Sequence, residues 1–375
     1  MSSSPLSDSA SEKGNTLPQF QPVSNPPHDA ASDLSHTLAL KSTAQQLIKL
    51  KSKAEISDFF RSSASQHALV VSGGSNLVPP ELIKCKVVQP CLTGIKVVNQ
   101  DDDHVWISVS AAENWHELVV YATAQGWYGL ENLALIPGWV GAAPVQNIGA
   151  YGREIKDFIE QVSAYDRETH AFVTLDPSEC RFAYRDSVFK QNPRRWLITQ
   201  ITLKLSKAPY LVLGYGDLKL ESGANPTPQS VLEAVVRIRS AKLPDWKQIP
   251  NCGSFFKNPV VSQAQADALT KQNPTMPVYP AAGGVKLAAG WLIEAVGLKG
   301  SREGALAKLG PFERQALVLV NHEPGAATQR DVAASCRKIA MAVHERFGVW
   351  LEPEPVWVDS AGRIINDPLR AKYVD

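Results

Sequence analysis

From residue 37 onward the apolar and polar positions fall into regular periods. Residues 54–63 read as a short amphipathic helix, followed by the strand-like Ala68-Leu69-Val70-Val71. A turn of Ser72, Gly73, Gly74, Ser75 and Asn76 comes next, then strand-like runs at 85–90 and 105–109. Residues 114–126 predict a helix with Trp115, Leu118, Val119 and Ala122 on one face. Short β-segments at 161–165, 171–175 and 197–205 alternate with turns. Further helices are predicted at 228–241, ending before Leu243-Pro244, at 287–296 and at 329–347, with a strand at 316–321. No internal repeat is visible. Strands and helices in separate blocks predict α+β domains rather than one doubly wound sheet.

Composition narrows the function classes. Residues 1–36 hold nine serines, five prolines, one lysine and no arginine, so they read as a disordered tail without signal or transit character. The chain carries 38 basic and 37 acidic residues, a formal charge of +1. That balance argues against nucleic acid or an acidic membrane as a partner held by bulk charge. Five cysteines with no C-x-x-C spacing predict reduced thiols and a cytoplasmic protein. The longest uncharged stretch, 132–152, is long enough to span a bilayer. Its two prolines, four glycines and three amides make it a structured loop instead.

Four segments carry candidate chemistry. The Ser72–Asn76 turn follows a strand and offers free backbone N–H groups, a common phosphate cradle and equally a common plain turn. The run 129–152 places Gly138, Gly141, Gly149 and Gly152 among small residues, with Pro137 and Pro144 fixing turns. It would let main chain approach a flat ring system closely, or serve as a tight interdomain connection. In the segment 180–187, Arg181 or Arg185 could hold a carboxylate, or pair with Asp186 at the surface. Ser254 follows a glycine and lies near Lys257 and Asn258, as a proton donor or a turn former. Near the end, Glu352 and Glu354 alternate with Pro353 and Pro355, as an acid or electrostatic group or as a surface strand. No Gly-x-Gly-x-x-Gly lies in a βαβ setting, so a Rossmann dinucleotide site has no support.

Together these segments resemble one family, the UDP-N-acetylenolpyruvoylglucosamine reductases (MurB), over roughly residues 37–358. The resemblance implies an α+β fold with a two-part FAD-binding region of the vanillyl-alcohol-oxidase/PCMH type and a C-terminal α+β substrate-binding domain. It divides the chain into the tail 1–36, a first FAD subdomain 37–92 to which 358–375 could return, a second FAD subdomain 93–239, and a substrate domain 240–357. Tyr215 and Tyr279 suggest the subtype with an extra tyrosine loop over the substrate. By the same resemblance Ser254 is the general acid, with Arg185 and Glu354 as its catalytic partners. Noncovalent FAD is expected on Ser72, Gly73, Gly74, Ser75 and Asn76, and on Ile136, Pro137, Gly138, Gly141, Ala142, Ala143, Asn147, Ile148, Gly149, Tyr151 and Gly152. Substrate contacts are expected at Tyr215, Lys242, Asn258, Tyr279, Lys299 and Gln315. No metal is implied. No histidine or cysteine sits in a covalent-flavin motif, His116 and Cys180 being the nearest candidates.

Three departures from the family pattern stand out. Ser72 replaces the first glycine of its Gly-x-Gly-Ser-Asn turn, Val356 takes the place of an arginine often found there, and His36-Thr37 stands for Asn-Thr. The implied activity is NADPH-dependent reduction of the enolpyruvyl ether of UDP-N-acetylglucosamine-enolpyruvate to UDP-N-acetylmuramate, a step of peptidoglycan precursor synthesis. Hydride would pass from flavin N5 to the methylene carbon and a proton from Ser254 to C2, with Arg185 opposing the negative charge that builds up. The implied partners are these small molecules, and the implied state is a monomer. Two other classes compete: an FAD oxidase of the same fold acting on an alcohol, and a non-catalytic flavin-binding protein. Ser254 and Glu354 in their motif contexts argue against the oxidase, which would need a base rather than a proton donor.

Overall fold

The structure, a computed structural model, describes residues 34–62 and 67–369. The expected tail therefore lies mostly outside the described residues. Its last part does not behave as a tail: Leu34 and His36 are buried. Leu34 joins a small apolar core with Ala44, Val71, Leu77, Ile83, Val87 and Val358.

That core belongs to a three-stranded parallel sheet in the order Thr43–Leu50, Leu82–Pro90, Leu69–Val70. The helix Lys53–Arg61 begins at Ser52, whose hydroxyl accepts the N–H of Glu55, and buries Ile56 and Phe60. The chain end returns here. Val356–Trp357 pairs in parallel with Leu77–Val78, and the Ser360 carbonyl accepts from Lys84 N at 2.7 Å.

A five-stranded antiparallel sheet follows, in the order Ala171–Leu175, Ile159–Asp166, Trp196–Ser206, His104–Ser110, Ile95–Gln100. Its inner face packs on two helices, Trp115–Ala124 and Pro228–Lys242, in the largest core. Both helices start where local chemistry requires. The Asn114 side chain accepts from Glu117 N at 3.1 Å. Thr227 and Ser230 cap each other reciprocally, with Pro228 in the first turn. Pro244 excludes the helical conformation at Leu243 and ends the second helix.

The last third holds two three-stranded antiparallel sheets: Asn251–Ser254, Val318–Asn321, Leu309–Pro311; and Val260–Val261, Gly284–Leu287, Val278–Ala281. They pack with the helices Gln263–Gln272, Ala289–Ala295 and Gln329–Phe347. Leu38 and Leu40 join this core, and the Asn321 side chain donates to the carbonyls of Leu38 and Ala39. The segment 34–40 thus links the first sheet to the last third. Among the described residues no helix is long and apolar enough to cross a membrane, and no cluster of His, Cys, Asp and Glu is arranged to hold a metal. The five cysteines are free, and Cys180, Cys252 and Cys336 are buried.

Candidate active site

A cavity of about 350 Å³ lies where these parts meet. One wall is the turn Ser72–Asn76, which the fold pins from both sides. Thr37 N donates to Gly74 O at 3.3 Å, and Val356 N to Asn76 O at 2.9 Å. Gly74 has φ +65°, and a Cβ there would meet Ser35 O at 2.5 Å, so only glycine lets the segment 34–37 cross the turn. The Asn76 side chain donates to Gln146 Oε1 at 2.8 Å, which ties this wall to the opposite one.

The opposite wall is the glycine-rich run: Ile136, Pro137, Gly141, Ala142, Ala143, Ile148 and Gly149 all face the cavity. Four expected cofactor residues do not line it. Gly138 packs on Ser75, Gly152 lies beside Val212, and the Tyr151 ring packs edge to face on Tyr215. Asn147 is fully buried, with its amide donating to Glu154 and to Ala183 O and its carbonyl accepting from Lys156 N. Its side chain is used up in holding the loop.

Arg185, Ser254 and Glu354, from three distant parts of the sequence, line the same cavity. Ser254 is aimed by a bulge. Asn251 pairs with Val320 and Ser254 with Val318, so one extra residue is inserted before the serine. Gly253 absorbs it at φ +77°, and its N–H donates to Asn251 Oδ1 at 2.9 Å. Behind the serine, Phe255 and Phe256 are buried and fix the strand. Glu354 N donates to Phe255 O at 2.8 Å, which places the glutamate beside the serine's strand.

Arg185 adopts φ +54°, the left-handed region rare for a residue with a side chain. Three contacts hold it. Its Nη2 donates to Gly149 O at 3.1 Å, its Nε lies 3.1 Å from Glu354 Oε1, and its carbonyl accepts from Lys190 Nζ at 2.8 Å. The Nε–Glu354 contact is an ion pair without hydrogen-bond alignment, because Nε has no aligned acceptor. Lys190 was not singled out from sequence, although it lies only five residues after Arg185. Burial, then the Lys257 charge, pushes its pKa down, and Glu354 partly offsets this.

Arg239 is the second residue missed. It stands one helical turn before Lys242 and lines the cavity, where burial lowers its pKa and the nearby Tyr151 phenol raises it. Lys242 itself is exposed at the helix end and does not reach the cavity. The other expected substrate residues lie outside the cavity lining. Tyr215 and Tyr279 are exposed, and Tyr215 lies within electrostatic reach of both Tyr279 and Arg185. Lys286, opposite Tyr279 on its hairpin, sits 5.0 Å over the Tyr184 ring. Asn258 Oδ1 accepts from Ala289 N at 2.9 Å, Lys299 pairs with Glu294 at 2.9 Å, and Gln315 Oε1 faces Leu317 N at 3.4 Å.

Four buried polar atoms of the cavity's lining residues have no hydrogen-bond partner: Ser72 Oγ, Arg185 Nε, Trp196 Nε1 and Arg239 Nε. Unsatisfied buried groups of this kind carry a desolvation cost that a polar ligand relieves. With a narrow turn, a glycine-rich wall and unpaired donors, the lining fits a large, flat, phosphate-bearing group.

Comparison with known proteins gives that group its name. Residues 44–173 match the model of an FAD binding domain, and residues 244–358 match that of the UDP-N-acetylenolpyruvoylglucosamine reductase C-terminal domain. The fold and the cavity define an FAD-dependent oxidoreductase with a two-part flavin-binding region. A reductase of this name from Psychrobacter arcticus is 45% identical over 364 residues, covering 92% of this chain and 97% of its own. The one from Chromobacterium violaceum is 51% identical over 296 residues, covering 77% and 85%. The solved MurB structure from Thermus caldophilus superposes with a TM-score of 0.57 at 25% identity, covering 86% of this chain and 95% of that one. The chain belongs to the UDP-N-acetylenolpyruvoylglucosamine reductase family, the MurB reductases of peptidoglycan precursor synthesis.

Proposed function

We propose that this chain uses NADPH to reduce the enolpyruvyl ether of UDP-N-acetylglucosamine-enolpyruvate to UDP-N-acetylmuramate, as a cytoplasmic monomer. The observation that carries this reading is the convergence of Ser254, Arg185 and Glu354 on one cavity between the flavin-binding walls and the C-terminal third. The Ser72–Asn76 turn, the 136–149 wall and Arg239 would hold FAD without a covalent bond, and FAD would supply two-electron hydride chemistry.

The chain's own residues do the rest. Arg185 faces the substrate carboxylate and opposes the negative charge that grows on the adjacent carbon as hydride arrives. Glu354 fixes the guanidinium through its ion pair, so the charge is already placed when it is needed. Ser254 gives a proton to C2. A hydroxyl is a weak acid, and the cations Arg185 and Lys190, which line the same cavity, make its loss of a proton less costly. Tyr215, Lys242, Asn258, Tyr279, Lys299 and Gln315 are proposed to receive the UDP-sugar outside the cavity, where the two lysines meet the diphosphate. The proposed division is a pair of FAD subdomains, 37–92 and 93–239, with a substrate domain at 240–357.

The test is NADPH oxidation by the purified protein with and without the enolpyruvyl UDP-sugar. Turnover that depends on the sugar supports the reading. Turnover indifferent to it, or driven by a simple alcohol with reduction of NADP, contradicts it.

A further inference from the structure

His116, one of the two residues nearest to a covalent-flavin candidate in the sequence, does not line the cavity, although its neighbour Trp115 does. It stands in the first turn of the helix Trp115–Ala124. That turn is fastened to the segment leading into the glycine-rich wall. Trp115 N donates to Gly138 O at 3.0 Å, and the Trp115 indole N–H donates to Leu133 O at 2.9 Å. Between these two points, Leu135 N donates to His116 Nδ1 at 3.1 Å.

Leu135 is the strained point of that segment. Its φ is +58°, in the left-handed region, which a branched side chain adopts only where its surroundings hold it. Both of its backbone polar groups are held. The N–H goes to the His116 imidazole, and the carbonyl accepts from Arg239 Nη2 at 3.3 Å. Arg239 lines the cavity, as do Ile136 and Pro137, the next two residues of the chain. A backbone N–H can only donate, so Nδ1 presents its lone pair and the ring carries its proton on Nε2. Burial, then the Arg239 charge, pushes the His116 pKa down and keeps the ring in this neutral form.

We infer that His116 is a positioning residue for the cofactor site: its neutral Nδ1 holds Leu135 in the left-handed turn that points the Leu135 carbonyl at Arg239 and delivers Ile136 and Pro137 to the cavity wall. The imidazole sets the turn, and the turn sets both the guanidinium and the wall. The inference rests on the flavin reading of the cavity and on no step of the reduction.

The test is a set of His116 variants of the purified holoprotein, read as the FAD dissociation constant from the flavin fluorescence released on serial dilution. His116→Leu removes the acceptor and should weaken FAD binding about three- to thirtyfold, the effect of one donor left unpaired. His116→Asn puts Oδ1 as many bonds from the backbone as Nδ1 was, and should bind FAD within about twofold of the unaltered protein. His116→Gln carries its acceptor one bond farther out and should resemble His116→Leu. This ordering separates a placed acceptor from general loosening of the helix. Undiminished binding by His116→Leu overturns the inference. So does equal weakening in His116→Asn and His116→Leu, or full binding by His116→Gln. Should His116→Leu fail to fold, the contrast between Asn and Gln decides alone. Failure of the flavin reading would appear as unaltered protein that binds no FAD. Failure of the reductase reading would appear as NADPH oxidation indifferent to the enolpyruvyl sugar, and would leave these constants untouched.

Discussion

Arg185 Nε lies 3.1 Å from Glu354 Oε1, and the two side chains are only 21% and 12% exposed. The pair joins the connection between two strands of the five-stranded sheet, Ala171–Leu175 and Trp196–Ser206, to the chain's last segment. A cation held this way is already in place and need not swing to meet its target.

Glu354→Gln should therefore lower stability by on the order of 1–3 kcal/mol, because a partly buried cation loses its partner while the Gly149 contact remains. Turnover should fall further, by about 10² to 10³-fold, the usual cost of losing one preorganised charge-stabilising contact. Arg185→Lys should fare no better, since an ammonium cannot reach Gly149 O and Glu354 together. Thermal melts and steady-state kinetics check both variants. Full activity of Arg185→Lys would contradict the role given to the pair.

Gly253→Ala isolates the bulge. A Cβ at this position meets nothing within 4 Å, so only the backbone objects, at φ +77°. The cost should be about 1–2 kcal/mol. Asn tolerates this conformation better, so Gly253→Asn should melt above Gly253→Ala. In both, the proton-transfer half of turnover should suffer more than flavin reduction, because Ser254 is re-aimed. Equal melting temperatures for all three proteins would show that the bulge is not held as described.

His36 makes stability depend on pH. Burial lowers its pKa to about 4 from 6.5, with a smaller opposing contribution from the Leu40 backbone. The unfolded chain then binds a proton that the folded chain refuses, between pH 6.5 and 4. The stabilisation is complete above the unfolded value and is lost as pH falls towards the folded one. On the order of 3 kcal/mol is at stake. His36→Asn should flatten this acid limb and leave stability near pH 8 much less affected. Superimposable acid limbs in denaturant titrations would contradict it.

The helices Pro228–Lys242 and Gln329–Phe347 were legible because each carries its own start and stop: Thr227 with Pro228, Pro244, Thr328 with Asp331, and Gly348 at φ +65°. The strand Thr43–Leu50 was not, because Ala44 and Leu50 are buried at its ends and polar residues between them break the alternation. The helix Gln263–Gln272 buries only Ala266 and Leu269, too few for a periodic signal. The tail boundary was misplaced by a few residues because Leu34 and His36 follow a serine- and proline-rich stretch yet pack against the body.

In the site, Arg185, Ser254 and Glu354 were legible from their motifs, but their meeting is a tertiary outcome. Arg239 shares a helix with exposed charges such as Arg237, and only the fold distinguishes the one turned inward. A spacing of three from Lys242 was the one available signal. Asn147 shows the opposite error: it belongs to the cofactor-like motif, but its side chain is turned to holding the loop.

Ser254 is where the central claim is most exposed. In stopped-flow measurements on Ser254→Ala, flavin reduction by NADPH should proceed almost unchanged, since that hydride transfer asks no proton of the serine. Reoxidation of the reduced flavin by the enolpyruvyl UDP-sugar should slow by about 10² to 10⁴-fold or more. Ser254→Cys should recover part of that rate, because a thiol has a proton to give. Equal slowing of both halves would make Ser254 a residue that shapes the pocket, and an unchanged second half would pass the proton to another group; either result contradicts the assignment.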